Sequence, residues 1–343
     1  MNTIELIKSS GWAALNQLSI QVTRHTTLPL NILNYNQIES PRFDPVVREC
    51  RGLVLDDKGE YVAKGFDRFY NLGENPQDQC DVPNSSIVEK VDGSFILLYY
   101  YDGWRVNTRA SFAEGETNGV KWKDLFWRNI NMDFINSMWW ARRMSFVFEL
   151  VGPHNQVVIP YPEGLYLLAG ICAGNYELND NELDEYAKEM GVSRPKKYSF
   201  GLSDCYSYMT AQDNFEGFVL KDSQNNRLKI KSEKYLSLHR LINNGNIASK
   251  RSFVDYYIRG EHYELSATLP QYKDLFDEYT QKLDAIIEMA QIDLERHNHL
   301  PQKEFALSIK HLPHRAILFV ARRDKKLVKS SLEGFNSLLE SYL

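Results

Sequence analysis

Two segments carry residue types that could do chemistry, Lys90-Val91-Asp92-Gly93-Ser94 and Leu228-Lys229-Ile230-Lys231. In a strand, residues i and i+2 point to one face, so Lys229 and Lys231 present two ammonium groups side by side. Like charges placed this way repel unless an anion sits between or above them, so the spacing suits an anion site. Each string alone has a plain alternative, a solvated sheet edge for the lysine pair and a charged turn before a strand for K-x-D-G. Between them in order stand Phe148-Glu149 and Glu216-Gly217-Phe218-Val219, each ending or occupying an apolar run.

Strands must position these groups. Leu53–Leu55 and Tyr61–Lys64 flank Asp56-Asp57-Lys58-Gly59, and Phe95–Tyr101 and Trp104–Thr108 flank Asp102-Gly103. Both read as hairpins, the second with a two-residue turn. The runs Phe146–Val151, Tyr166–Ile171, Gly217–Leu220 and Leu228–Ile230 predict further strands, interrupted by a helix over Asn181–Met190. The turn-forming cluster Asn243-Asn244-Gly245-Asn246 marks a boundary, giving domains 1–243 and 244–343. Beyond it Phe276, Tyr279, Leu283, Ile286, Ile287, Ala290 and Leu294 fall on one helical face and read as core. The expected fold is α+β, an antiparallel-sheet domain followed by a smaller, mainly α-helical one.

A chain of 343 residues, 43% hydrophobic, has enough apolar residues for two cores. Cys50, Cys80, Cys172 and Cys205 lie far apart with no C-x-x-C pair, which suggests buried reduced thiols and neither a zinc ribbon nor a disulfide framework. His297-Asn298-His299 spells a nuclease motif but closes a helical pattern with no strand around it, a chance match. The net charge of −5 argues against non-specific coating of nucleic acid, which rests on many Lys and Arg contacts to phosphate. Between Pro301 and Lys329, however, eight Lys/Arg stand against two Asp/Glu. Seven of these (Lys310, Arg315, Arg322, Arg323, Lys325, Lys326, Lys329) form a candidate surface for the phosphates of a structured RNA, with a solvated basic helix face as the alternative. No apolar run of eighteen residues predicts a membrane span, and Glu5, Lys8 and Gly11 interrupt the first fifteen residues where a signal peptide would be apolar. A cytoplasmic monomer is expected, in the host cytoplasm if the source is viral.

The order K-x-D-G, aromatic-Glu, E-G-x-V and K-x-K resembles the motifs of the covalent nucleotidyltransferases, the polynucleotide ligases and mRNA capping enzymes. Within that superfamily the chain is most similar to the phage RNA ligases of the first type, which reseal broken tRNA. Glu49-Cys50-Arg51-Gly52, Phe69-Tyr70-Asn71-Leu72-Gly73-Glu74-Asn75-Pro76 and Lys229-Ile230-Lys231-Ser232-Glu233-Lys234-Tyr235 carry this closer likeness, which covers about Tyr35 to His239.

The resemblance implies an ATP-grasp-like ligase domain in which Lys90 attacks the α-phosphorus of ATP and becomes a lysyl-AMP. Lys90 must first lose its proton; at a pKa of about 10.4 this costs on the order of 4–5 kcal/mol near pH 7. Lys229, Lys231 and a bound metal are expected to lower that pKa and then to neutralise the phosphate in the transition state. Glu216 is the implied ligand of Mg²⁺ or Mn²⁺, Glu149 the partner of the ribose hydroxyls, and Asp92 a support for later steps on RNA. Gly93 is expected to let the backbone approach the nucleotide. Arg51 and Arg109 match positions near the phosphates or RNA end. Phe69, Tyr70 and Val219 are expected to sandwich adenine, with Tyr35 and Arg68 as further pocket residues. Arg68 and Tyr70 replace a lysine and a phenylalanine of the phage enzyme, retaining charge and stacking.

The implied substrates are RNA ends bearing 5′-phosphate and 3′-hydroxyl, with a polynucleotide kinase-phosphatase acting upstream. DNA ligases and capping guanylyltransferases share the lysine chemistry but carry an OB-fold after the last motif, whereas this tail reads as helical. Ser94, where capping enzymes usually have arginine, points the same way. A catalytically inactive RNA-binding protein is the remaining alternative, separated by whether label from ATP becomes covalently attached.

Overall fold

The apolar runs of the first two thirds of the chain are strands in the computed structural model, which describes residues 2–343 apart from 37–38, 76–78, 173–175, 244–245, 248–249, 260–261, 263–271, 325–331 and 333. Strands Ile20–Arg24 (β1), Leu30–Tyr35 (β2), Arg51–Asp56 (β3) and Tyr61–Ala63 (β4) form an antiparallel sheet in that order. Next along the chain come Tyr70–Asn71 (β5), Ser86–Glu89 (β6), Ser94–Tyr100 (β7), Trp104–Thr108 (β8), and a small hairpin of Glu116–Thr117 (β9) with Val120–Lys121 (β10). Met144–Val151 (β11), Gly164–Cys172 (β12), Lys197–Tyr198 (β13), Gly217–Lys221 (β14) and Arg227–Lys231 (β15) follow. A second antiparallel sheet runs β12-β11-β7-β8 and a third β13-β6-β14-β15-β5, in which only β15 and β5 pair parallel.

The second sheet is covered on both faces, which accounts for its near-continuous apolar strands. One face packs Leu97, Tyr99, Val147, Ala169 and Ile171 against Ile32, Val54 and Ala63 of the first sheet. The other packs Ile96, Phe146, Phe148 and Leu167 against helices Trp122–Trp127, Met132–Ser137 and Asp180–Met190. Glu149 is the one ionisable residue in β11 and the one position of that strand that is not fully buried. The third sheet is backed by the helix Leu202–Thr210 through Cys205, Met209, Phe218 and Ile230.

Tyr100 pairs with Trp104, so the β7–β8 loop has three residues, Tyr101–Gly103, where two were expected. Asp102 (φ 48°) and Gly103 (φ 109°) both lie in the left-handed region, and Tyr101 N–H donates to the Gly103 carbonyl at 2.8 Å, closing the chain one residue earlier.

The chain forms two compact units, Met1–Leu236 and Ser237–Leu343. The described part of the second is built mainly of helices, Lys250–Arg259, Lys273–His297, Gln302–Ser308, Arg315–Asp324 and Asn336–Glu340. Phe276, Tyr279, Leu283, Ile286, Ala290 and Leu294 are the buried face of Lys273–His297, while Ile287 at its edge is half-buried. Asn244 and Gly245 of the expected boundary lie outside the described residues. Among the described residues no helix is long and apolar enough to cross a membrane. None of the four cysteines is in a disulfide; Cys50 and Cys205 are buried as expected, Cys80 and Cys172 only half so.

Candidate active site

Lys90 follows β6, and its backbone N–H continues the β6–β14 ladder by donating to the Gly217 carbonyl at 2.8 Å. This sets its side chain beside Glu216, the residue before β14. Lys231 lies opposite Gly217 in β15 and reaches the same carboxylate. Lys90 Nζ donates to Glu216 Oε2 at 2.7 Å and Lys231 Nζ pairs with Oε1 at 2.8 Å. The Glu216 side chain is 2% exposed and each lysine side chain about a fifth. Glu216 thus supplies the anion that two converging lysines require.

The buried charges set one another's protonation. Burial alone would push the Glu216 carboxyl up, but Lys90 and Lys231 outweigh it and hold it below the ordinary carboxylate range. Burial alone would pull Lys90 down, but Glu216, Glu149 and Asp92 hold its ammonium above the ordinary lysine range. This corrects the expectation that neighbouring lysines depress Lys90. In the free chain its nearest partner is a carboxylate, and attraction at 2.7 Å exceeds repulsion from cations farther off.

Lys229 does show the depression. Burial, then Lys231 and Lys90, pull it to about 8, with Glu74 opposing. It pairs with Val219 across the β14–β15 ladder and lies 5.7 Å from the Phe69 ring centroid, with no ion-pair partner among the described residues. Glu149, paired with Phe95 of β7 and Tyr166 of β12, is pushed to about 7 by burial although Lys90 and Arg51 pull the other way.

Asp92 accepts the Val158 and Ile159 N–H groups at 2.9 and 2.8 Å on Oδ2 and the Tyr235 hydroxyl at 2.8 Å on Oδ1. Its donors tie the K-x-D-G loop to the segment after β11 and to the helix after β15. Tyr235 had no role assigned from sequence, although it stood inside the quoted Lys229–Tyr235 run; Lys231 also lies over its ring at 4.9 Å.

Gly93 is glycine for a different reason from the one expected. A Cβ there would sit 2.4 Å from the Leu150 carbonyl oxygen and 2.8 Å from Val151 Cγ1, so the space is filled by β11. Gly217 (φ 147°) is similarly forced, because a Cβ would fall 1.9 Å from the Ile230 carbonyl oxygen.

The expected base sandwich is divided. Phe69 and Val219 are half-buried, but Tyr70 is 1% exposed, donates its hydroxyl to the Arg42 carbonyl and stands edge-on to Phe43. Tyr70, the first residue of β5, is therefore a core residue. Arg68 lies 4.4 Å from the Tyr35 ring centroid and Arg109 5.5 Å from it. Arg51 sits 5.0 Å from Phe95 and 5.8 Å from Phe69, linking this basic-aromatic group to the Glu149 side. The buried Nη1 atoms of Arg51 and Arg68 have no hydrogen-bond partner among the described residues. Orphaned guanidinium N–H groups, that of Arg51 close enough to act on the Lys229 charge, suit an anionic ligand.

No group of three or more His, Cys, Asp or Glu among the described residues could hold a metal ion by itself. Glu216 offers one carboxylate, which suits a divalent cation that takes its other ligands from a nucleotide and water.

The tail cluster divides too. Arg322 donates to the Leu300 carbonyl at 2.6 Å and lies 4.2 Å from the Phe305 ring centroid, so it is a packing residue. Lys325, Lys326 and Lys329 lie outside the described residues.

A family model described as RNA ligase matches residues 49–235. The chain is 28% identical over 338 residues to a candidate bifunctional polynucleotide kinase/RNA ligase of Autographa californica nuclear polyhedrosis virus, covering 90% of this chain and 47% of that protein. It is 28% identical over 208 residues to a candidate RNA ligase of Thermovibrio ammonificans, covering 57% and 54%. The chain therefore spans about half the length of these two relatives. It is 24% identical over 386 residues to an RNA ligase of Rhodothermus phage RM378, covering 88% of each. An archaeal ATP-dependent RNA ligase structure shares the fold at TM-score 0.50 and 14% identity, covering 80% of this chain and 73% of that one.

Proposed function

The chain belongs to the RNA ligase family, and from that premise we propose that it joins RNA ends through an AMP carried on Lys90. The observation that carries this reading is the convergence of Lys90 and Lys231 on the buried Glu216, with Lys229 and Glu149 in the same site.

In the first step the neutral Lys90 amine attacks the α-phosphorus of ATP. A P–N bond forms, the bond to the bridging oxygen breaks, and pyrophosphate leaves as the amine gives up its proton. In the second, an RNA 5′-phosphate oxygen attacks the AMP phosphorus, the P–N bond breaks and Lys90 regains a proton. In the third, the RNA 3′-hydroxyl attacks the 5′-phosphorus, AMP departs and a phosphodiester remains. Lys229 and Lys231 offset negative charge at the α-phosphate, and their burial strengthens that effect. Glu149 accepts from the ribose hydroxyls, Arg51, Arg68 and Arg109 hold phosphate, and Phe69 and Val219 flank the base. A Mg²⁺ or Mn²⁺ on Glu216 and the nucleotide would screen phosphate charge. Lys90 must leave Glu216 before it can attack, so nucleotide binding and activation of the lysine are coupled.

The substrate class is RNA with 5′-phosphate and 3′-hydroxyl ends, as in tRNA repair, with a kinase-phosphatase preparing the ends. The kinase named in the baculovirus relative supports this pairing. The first domain is the adenylyltransferase, and the second helps recognise RNA.

Incubation with α-labelled ATP and Mg²⁺ tests the reading. Label should remain on the protein through denaturation and be released by 5′-phosphorylated RNA; absence of denaturation-stable label would overturn it.

A further inference from the structure

Residues 152–159, which follow β11, lie outside every motif read from the sequence, yet they are fastened at three points around the Lys90 loop. The Thr117 hydroxyl and the Asn118 amide of the β9–β10 hairpin donate to the His154 carbonyl at 3.0 and 2.8 Å. The Val158 and Ile159 N–H groups hold Asp92. Between these, Asn155, 8% exposed, donates its side-chain amide to the Leu150 carbonyl at 2.6 Å and to the Ser94 hydroxyl at 3.1 Å.

Leu150 and Ser94 face each other across β11 and β7, and the next rung pairs Glu149 with Phe95. Asn155 therefore clasps both strands about 3.3 Å along β11 from Glu149. The Leu150 carbonyl is also the group that closes on Gly93, 2.4 Å from where a Cβ would stand. One amide thus fixes the end of β11, the start of β7 and the fit of the Lys90 loop against them.

Glu149 depends on this backbone. Lys90 and Arg51 act on its charge, but its carboxyl group has no hydrogen-bond or ion-pair partner among the described residues, so the direction in which it points is set by the strand that carries it. We infer that Asn155 is a positioning residue for nucleotide selection: by clasping Leu150 and Ser94 it aims the Glu149 carboxylate at the ribose hydroxyls of ATP. The inference rests on the ligase reading above and on the place of Glu149 in it.

Lysyl-AMP formation by the full chain, with ATP and with 2′,3′-dideoxyATP, which lacks both ribose hydroxyls, tests it. Asn155→Ala should raise the ATP concentration for half-maximal lysyl-AMP formation about tenfold and that of 2′,3′-dideoxyATP less than about twofold, so that discrimination between them collapses. Asn155→Asp, whose carboxylate offers the Leu150 carbonyl no donor, should do the same. Ser94→Ala, which removes only the 3.1 Å bond, should give a smaller loss in the same sense, and it decides the matter if the Asn155 variants do not fold. A general loosening of the fold would weaken both nucleotides alike, so equal losses, or none, would overturn the inference. A parent that takes both nucleotides equally would remove the ribose role of Glu149 and that of Asn155 with it. A parent that forms no lysyl-AMP would instead remove the ligase reading itself.

Discussion

Lys90 Nζ donates to Glu216 Oε2 at 2.7 Å, so the candidate nucleophile rests as an ammonium held by the carboxylate assigned to the metal. In the proposed mechanism one group would serve as both brake and metal ligand. Whatever draws Glu216 away also exposes the amine, which ties activation of Lys90 to arrival of the nucleotide.

Lys90→Ala should abolish lysyl-AMP formation, because no nucleophile remains, while leaving Glu216 paired with Lys231 and the fold intact. Glu216→Ala should instead lower stability by about 3 kcal/mol, since two partly buried ammonium groups lose their shared anion. Denaturant melts of the two variants separate these cases; equal melts would count against the shared carboxylate.

Lys229→Ala and Lys231→Ala should each slow lysyl-AMP formation by about a hundredfold, as expected for losing a charge donor in a desolvated site. Their effects should be less than additive, because both act on one phosphate. Single-turnover rates within twofold of the parent would remove them from the phosphate site.

The pH dependence of ATP binding follows from two groups. Glu149, pushed to about 7, becomes a carboxylate able to accept from ribose hydroxyls only as pH rises through that value. Lys229, pulled to about 8, loses its charge as pH rises further. Affinity should therefore peak between about 7 and 8, and Lys229→Arg, which keeps its proton, should extend the alkaline limb upward. Titration of ATP affinity across this range checks both limbs; an alkaline limb unmoved in Lys229→Arg would remove Lys229 from it.

Gly93→Ala should destabilise the first unit by about 1–3 kcal/mol and slow adenylation, since its Cβ would meet the Leu150 carbonyl oxygen at 2.4 Å and force β11 from the Lys90 loop. Parent-like thermal stability in this variant would show that the loop relaxes without cost.

The sequence by itself determined the longer apolar strands and the list of chemical groups, because both are local properties, whereas β1, β2 and β6 were not read from it. Continuous apolar runs specify β7 and β11, and alternation specifies β15, wherever they end up. A lone glutamate in the apolar run of β11 announces a buried charge with a task. Which group faces which was decided by tertiary structure. Lys90 and Glu216 are 126 residues apart and meet only because β6 and β14 are neighbours, and the sign of the Lys90 shift depends on that 2.7 Å distance. Gly93 looked like a place for a nucleotide until β11 filled it, and Tyr70 like a base platform until the parallel pairing of β5 with β15 accompanied its burial. Burial and long-range electrostatics depend on all neighbours at once, and a spacing along the chain holds only the neighbours that are near in sequence.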